Sequence, residues 1–196
     1  MKIFWFDLET TGTRFWKNGI HQISGLVDIN GQIKEAVDIK VRPYKDAIIE
    51  DEALAVSHVT RDIIAGYKPF CEGYMDLVAV LGSYVNKFDK MDKFILAGYN
   101  NSPFDNQFLR AFFVQNGDNY FGSFFWSNCI DVMVLASAVL AGERTRLANF
   151  KLHTVAAYLG IQVDETRLHD GNYDINLTRE IYLTISKKFN QTTWQA

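Results

Sequence analysis

Asp7 and Glu9 stand one residue apart at the end of Ile3-Phe4-Trp5-Phe6-Asp7, the first place in the chain where chemistry is possible. The residues before Asp7 are aromatic or branched with no polar break, the pattern of a buried strand. Side chains repeat every two residues along a strand, so the two carboxylates share a face. Like charges fixed that close repel unless something positive lies between them. A hard divalent cation such as Mg²⁺ or Mn²⁺, which prefers oxygen ligands, suits that position. Thr10, Thr11 and Gly12 then offer hydroxyls and a permissive backbone where another molecule could approach closely. An Asp-x-Glu alone is equally consistent with a strand end that shows acids to water.

Three more residues have the right types. Asp105 follows an apolar stretch and opens a helical pattern, Asp174 opens the last long helix, and His169 precedes Asp174 by five positions. An acid in a first helical turn has an innocent role as well, complementing the macrodipole and capping free N–H groups. A histidine with a pKa near neutrality suits a general base, and a lone one also serves as a surface or packing residue.

The elements that must position these residues are legible in outline. A second strand is expected over residues 21–29, and Asn30-Gly31 is a favoured pair for a tight hairpin. The third strand alternates, with Ile33, Val37, Ile39 and Val41 on one face and Lys34, Asp38, Lys40 and Arg42 on the other. Helices are expected over 48–57 and over 72–88, the latter with Tyr74, Leu77, Val78, Leu81, Tyr84 and Val85 at helical spacing. A fully apolar fourth strand spans 94–99, and Asn100-Asn101-Ser102-Pro103 turns the chain into a helix over 104–114. Residues 126–131 read as a fifth strand, followed by a helix over 132–140, a polar loop over 142–146, and a helix over 150–159 stopped by Gly160. The last helix carries Ile175, Thr178, Ile181, Tyr182, Ile185 and Phe189 on one face. The aromatics Phe112, Phe113, Tyr120, Phe121, Phe124, Phe125 and Trp126 read as core. A hairpin meander followed by alternating helix and strand implies an α/β fold: one mixed five-stranded sheet flanked by helices, in one domain over 1–196.

The 196 residues carry a net charge of -3, which speaks against a broadly basic nucleic-acid coat. A local basic rim around an acidic metal site remains compatible, because bound cations invert the local charge logic. Cys71 and Cys129 lack ligand-type spacing and read as buried thiols in a reducing compartment. The chain enters a strand at once, without a signal-peptide pattern, and the longest apolar run, 132–142, is too short to span a bilayer. The expectation is a cytoplasmic protein with no membrane partner.

Taken together, Phe6-Asp7-Leu8-Glu9-Thr10-Thr11-Gly12, Gly98-Tyr99-Asn100-Asn101-Ser102-Pro103-Phe104-Asp105 and His169-Asp170-Gly171-Asn172-Tyr173-Asp174 resemble the three ordered motifs of the DEDD exonucleases. The His-x-x-x-x-Asp spacing resembles the histidine subgroup, DEDDh, as in the proofreading subunit of bacterial replicative polymerases. Residues 53–60, Ala-Leu-Ala-Val-Ser-His-Val-Thr, are similar to a segment that lies beside the terminal nucleotide in relatives. The pattern departs in three places. Asn100 stands where many members have histidine, His58 where several have glycine, and Asp170-Gly171-Asn172 where alanine and leucine are commoner. No departure removes a candidate ligand.

The resemblance implies a ribonuclease-H-like fold and removal of nucleoside 5′-monophosphates from a single-stranded 3′ end, with DNA favoured. It implies two Mg²⁺ or Mn²⁺ ions about 4 Å apart. Asp7 would bridge both, Glu9 and Asp174 would complete the water-activating site, and Asp105 would help hold the second ion. His169 would accept the proton of the attacking water. Candidate substrate contacts are Leu8, Thr10, Thr11, His58, Asn101 and Phe104, the last as a wedge against a base or as core. The turn Arg14-Phe15-Trp16-Lys17 offers phosphate contact or local packing, and Arg144, Arg146 and Lys151 a solvated loop or a touch on the strand backbone. Three other readings stand beside this one: a 3′-end RNA-trimming enzyme, a non-catalytic ribonuclease-H-like binding module, and an Asp-x-Asp phosphatase. The phosphatase needs a second Asp where this chain has Glu9. The chain carries no visible polymerase, helicase or clamp-binding extension, so it is expected to work alone, form a homodimer, or dock on a polymerase or other replication partner.

Overall fold

The structure, a computed structural model, describes residues 1–168 and 170–191, with the side chains of 188–191 left out of the description. Five strands form one sheet in the order β3-β2-β1-β4-β5. β1 (Lys2–Thr10), β2 (Ile20–Ile29) and β3 (Gln32–Lys40) make the antiparallel meander, while β4 (Phe94–Gly98) and β5 (Phe125–Asp131) run parallel to β1. The hairpin between β2 and β3 turns on Asn30 at φ 55° and Gly31 at φ 85°, the two left-handed residues that a type I′ turn requires.

β1 lies at the centre and is apolar on both faces. Phe4, Phe6 and Leu8 enter one core with Ile23, Leu77, Phe94, Phe108 and Phe112, contributed partly by helices α3 (Phe70–Tyr84) and α4 (Asp105–Gln115). Ile3 and Trp5 enter the opposite core, against α6 (Val132–Val139), α7 (Leu152–Tyr158) and α8 (Gly171–Gln191). By the strand's alternation Asp7 and Glu9 continue the Ile3–Trp5 face, the side on which α8 lies. That helix is clamped there: Tyr182 packs edge-on against Trp5 at 5.1 Å, and Arg179 donates to Asp28 Oδ2 at 3.0 Å and to the Gly31 carbonyl at 2.8 Å.

Several expected elements differ in detail. A bulge in the β2–β3 ladder at Val27/Asp28 shifts the phase of β3, so Ile33 is 40% exposed while Val37 and Ile39 stay buried. The expected helix over 48–57 begins only at Asp51, as α1 (Asp51–Val56). Ile48 is held outside it: its N–H donates to the Lys17 carbonyl, and its own carbonyl accepts from Thr11 and Asn18. Two short helices, α2 (Arg61–Ala65) and α5 (Phe121–Phe124), were not foreseen. Thr60 caps α2 by accepting from the Ile63 N–H at 3.3 Å. α3 starts two residues earlier than expected and stops at Tyr84, where Val85 turns extended, leaving Phe88 on the surface. The polar loop coils into a 3-10 turn, Ala141–Arg146. Of the aromatic run, Phe112, Phe113, Phe121, Phe124 and Phe125 are buried, whereas Tyr120 is exposed. Cys71 is exposed and Cys129 half-buried, which corrects the expectation of two buried thiols. The side chain of Phe189 lies outside the described residues. Among the described residues no helix is long and apolar enough to cross a membrane.

Candidate active site

Four acids meet at the C-terminal end of β1. Burial, reinforced by the charges of Asp105, Glu9 and Asp174, holds the Asp7 carboxyl well above the usual carboxylate range. Burial likewise pushes Asp105 up to about 8, against the opposing pull of backbone N–H groups at Asp105 and Leu8. A low-dielectric pocket that must hold several carboxylates is poorly stable without a cation.

Each acid arrives by a different local device. Asp105 opens α4, which follows β4 through the turn at residues 99–104, and this turn is pinned by a residue the sequence reading had not singled out. Asp131, at the end of β5, accepts from the N–H of Asn100 at 3.0 Å and of Ser102 at 3.2 Å, and also caps α6 through Met133 at 3.1 Å. An aspartate between a strand and a helix is a recognisable cap signal, but its second grip, on the β4–α4 turn, is a tertiary fact invisible in sequence. Asn100 itself is left-handed, at φ 57°, which an asparagine tolerates.

Asp174 stands in the first turn of α8, yet the capping role belongs to Asp170, whose Oδ1 accepts from the N–H of Asn172 at 3.0 Å and of Tyr173 at 3.3 Å. Asp174 is therefore not needed as the cap. Gly171 lets the helix come close to the sheet: a Cβ there would lie 2.5 Å from Ser24 Oγ and 3.9 Å from Asp7 Oδ2. Glu9 accepts a short bond, 2.6 Å, from the hydroxyl of Ser57.

Three of the acids open onto a cleft of about 300 Å³, while Asp105 lies buried behind them. Asp7, Glu9 and Asp174 form its polar wall, and Leu8, Ala53, Val56 and Phe104 its apolar wall. Phe104 is half-buried and packs on Phe108 with ring centroids 5.0 Å apart, so its remaining face borders the cleft. Thr10 lines the cleft with its hydroxyl turned to the Gly12 carbonyl at 2.8 Å.

Three expected substrate contacts are placed elsewhere. Thr11 is wholly buried, its hydroxyl donating to the Ile48 carbonyl at 2.8 Å and accepting from the Gly19 N–H at 2.9 Å. Asn101 is also buried, with Nδ2 donating to Asn106 Oδ1 at 3.2 Å. His58 is exposed and is not among the residues lining the cleft. It ends α1: at φ 54° it holds the left-handed stop position, while the Val59 N–H donates to the Leu54 carbonyl at 3.1 Å. His169, the expected base, lies outside the described residues.

Nearby cations are engaged locally. Arg14 pairs with Glu50 at 2.9 Å, Phe15 packs edge-on to Phe108, and Trp16 is 62% exposed. Arg146 pairs with Glu143 at 2.6 Å, and the Arg144 guanidinium lies 4.9 Å over the Phe150 ring.

The donors Asp7, Glu9, Asp105 and Asp174 are all oxygen, which fits a hard divalent cation and not a soft metal. Among the described residues no group of three or more His, Cys, Asp or Glu closes around a point tightly enough to hold an ion alone. The fit is to an open site in which water and substrate oxygens complete the shell, as Mg²⁺ prefers.

A family model described as Exonuclease, RNase_T, matches residues 4–182. The chain belongs to the exonuclease family. The matched span runs from β1 into α8 and takes in all four acids and His169. No curated protein sequence matches. Among solved structures, this exonuclease chain is similar to exonuclease I of E. coli in complex with a dT13 oligonucleotide, with TM-score 0.73 and 19% identity over 97% of this chain and 41% of that one. It is similar to the moderately thermophilic exonuclease I of Methylocaldum szegediense, with TM-score 0.74 and 19% identity over 97% and 41%. A zinc-bound form of the E. coli exonuclease I–ssDNA complex gives TM-score 0.73 and 18% identity over 97% and 41%. This exonuclease chain thus spans about two-fifths of the length of those proteins, and the shared fold is the ribonuclease-H-like one expected from the motifs.

Proposed function

We propose that this chain is a metal-dependent 3′-to-5′ exonuclease that acts on single-stranded nucleic acid, DNA in preference to RNA, and releases nucleoside 5′-monophosphates. The observation that carries the reading is the meeting of Asp7, Glu9, Asp105 and Asp174 beside a cleft with an apolar wall of Leu8, Ala53, Val56 and Phe104. The family match and the fold shared with exonuclease I support it, and the oligonucleotide in that structure supports a DNA strand as substrate.

Asp7, Glu9, Asp105 and Asp174 would hold two Mg²⁺ or Mn²⁺ ions, which supply Lewis-acid activation of water and charge stabilisation for the leaving oxygen. Leu8, Val56 and Phe104 bind the terminal base, Phe104 by stacking, which is tolerant of sequence because every base has a π-face. With the base seated, the phosphodiester linking the last nucleotide lies toward the acidic wall. Water attacks that phosphorus, the bond to the 3′ oxygen of the preceding nucleotide breaks, and the imidazole of His169 takes the proton from the attacking water.

The test is digestion of 5′-labelled single-stranded DNA and RNA oligonucleotides with Mg²⁺ or Mn²⁺. The expected result is stepwise shortening from the 3′ end, faster on DNA, abolished by chelator and by Asp7→Ala. Losing one ligand removes several kcal/mol of stabilisation, about a thousandfold in rate or more. Full activity of Asp7→Ala, or cleavage that persists in chelator, would sink the reading. Faster RNA digestion would favour the RNA-trimming enzyme, and binding without hydrolysis the non-catalytic module.

A further inference from the structure

Behind Glu9 the structure holds a partly buried polar chain that the proposed reaction does not use. Ser57 follows the last residue of α1, and its hydroxyl donates to Glu9 Oε2 at 2.6 Å. Ser57 Oγ also lies 3.3 Å from Nε2 of His21, a wholly buried residue of β2 whose Nδ1 has no hydrogen-bond partner among the described residues.

The hydrogen count fixes the direction of this chain. Ser57 has one proton, and the Glu9 carboxylate, which must be ionised to hold a cation and then only accepts, receives it. Ser57 can then only accept from the imidazole, so His21 carries its proton on Nε2, and Nδ1 is the bare nitrogen. The other tautomer would bury an unpartnered N–H donor and deprive a carboxylate of a donor, which is the costlier arrangement. Burial lowers the His21 pKa to about 4, so the ring is neutral across the physiological range. The stop after Ser57 fixes the hydroxyl: buried Leu54 anchors α1, and left-handed His58 turns the chain directly after it.

Resting on the nuclease reading, we propose that Ser57, backed by the Nε2–H tautomer of His21, is a positioning residue that sets the orientation of the Glu9 carboxylate for cation binding. A donor to a ligating carboxylate acts on metal affinity and leaves the base-binding wall untouched. Removing such a partner typically weakens metal binding by about 10- to 100-fold.

Two measurements test this. Calorimetric titration with Mn²⁺ should show binding by the wild-type chain, binding about tenfold weaker or more in Ser57→Ala, and binding restored in Ser57→Thr, which keeps the hydroxyl. The KM for a single-stranded oligonucleotide at saturating Mn²⁺ should be the same in all three. Independently of metal, ¹⁵N NMR of the histidine rings should show His21 protonated at Nε2 and bare at Nδ1, unchanged through neutral pH. Equal Mn²⁺ affinity in wild type and Ser57→Ala, failure of threonine to rescue, or a proton on His21 Nδ1 would overturn the proposal. A wild-type chain that binds no Mn²⁺ would overturn the nuclease reading instead, with the tautomer still deciding the direction of the Ser57–His21 chain.

Discussion

At neutral pH the cation-free acids of this site oppose one another. The Asp105 pKa, about 8, lies above its ordinary value, so the stability it contributes is full only in acid and is lost as pH rises through 8. Asp7 shifts in the same direction for the same reasons of burial and neighbouring charge. Asp105→Asn, which keeps an oxygen acceptor for the Leu8 N–H, should therefore raise the melting temperature of the chelator-treated protein at pH 7, by a gain on the order of a few kcal/mol, while abolishing hydrolysis. A destabilised apo variant would show that the pocket does not strain the acid. Phe104→Ala should cost about 1–3 kcal/mol of stacking, a KM increase of roughly 5- to 150-fold, together with some loss of stability from its packing on Phe108. Steady-state kinetics at saturating cation checks it. His58→Gly removes a side chain from a left-handed position outside the cleft lining, so it should leave kcat and KM unchanged and slightly raise the melting temperature.

Among the elements, the close seating of α8 on β2 is the most exacting contact. Gly171→Ala would drive a methyl to 2.5 Å from Ser24 Oγ, and Ser24 pairs in register with Asp7. The helix must then shift, taking Asp174 with it. The expected outcome is a drop in kcat of tenfold or more, since small misplacements of reacting groups cost about 10²-fold. Ser24→Gly in the same chain should restore it. No rescue would mean that the loss has another origin. Asp131→Ala releases both the β4–α4 turn and the α6 cap, and should lower stability by about 1–3 kcal/mol and impair activity through Asp105.

These contacts mark the limit of what the sequence disclosed. Strand alternation put Asp7 and Glu9 on one face, and apolar spacing located α4 and α8, because those signals are local. Thr11 and Asn101 belong to the right motifs, yet both side chains turn inward to hold loops. The partner atoms, the Ile48 carbonyl and Asn106 Oδ1, set that direction, and no local pattern announces them. The same holds for the bulge that exposes Ile33 and for the double grip of Asp131.

For the whole molecule, the sheet order places the acids where parallel β1 and β4 end, the crevice side on which α/β sheets bind ligands. Cation binding should couple to global stability, adding about 2.7 kcal/mol at a hundredfold excess over Kd. The direct test of the central claim is anomalous diffraction from crystals soaked in Mn²⁺. The account predicts anomalous peaks enclosed by Asp7, Glu9, Asp105 and Asp174 at the end of β1, lost in Asp7→Ala. Fully occupied Mn²⁺ elsewhere on the surface, with no peak among those four carboxylates, would contradict it.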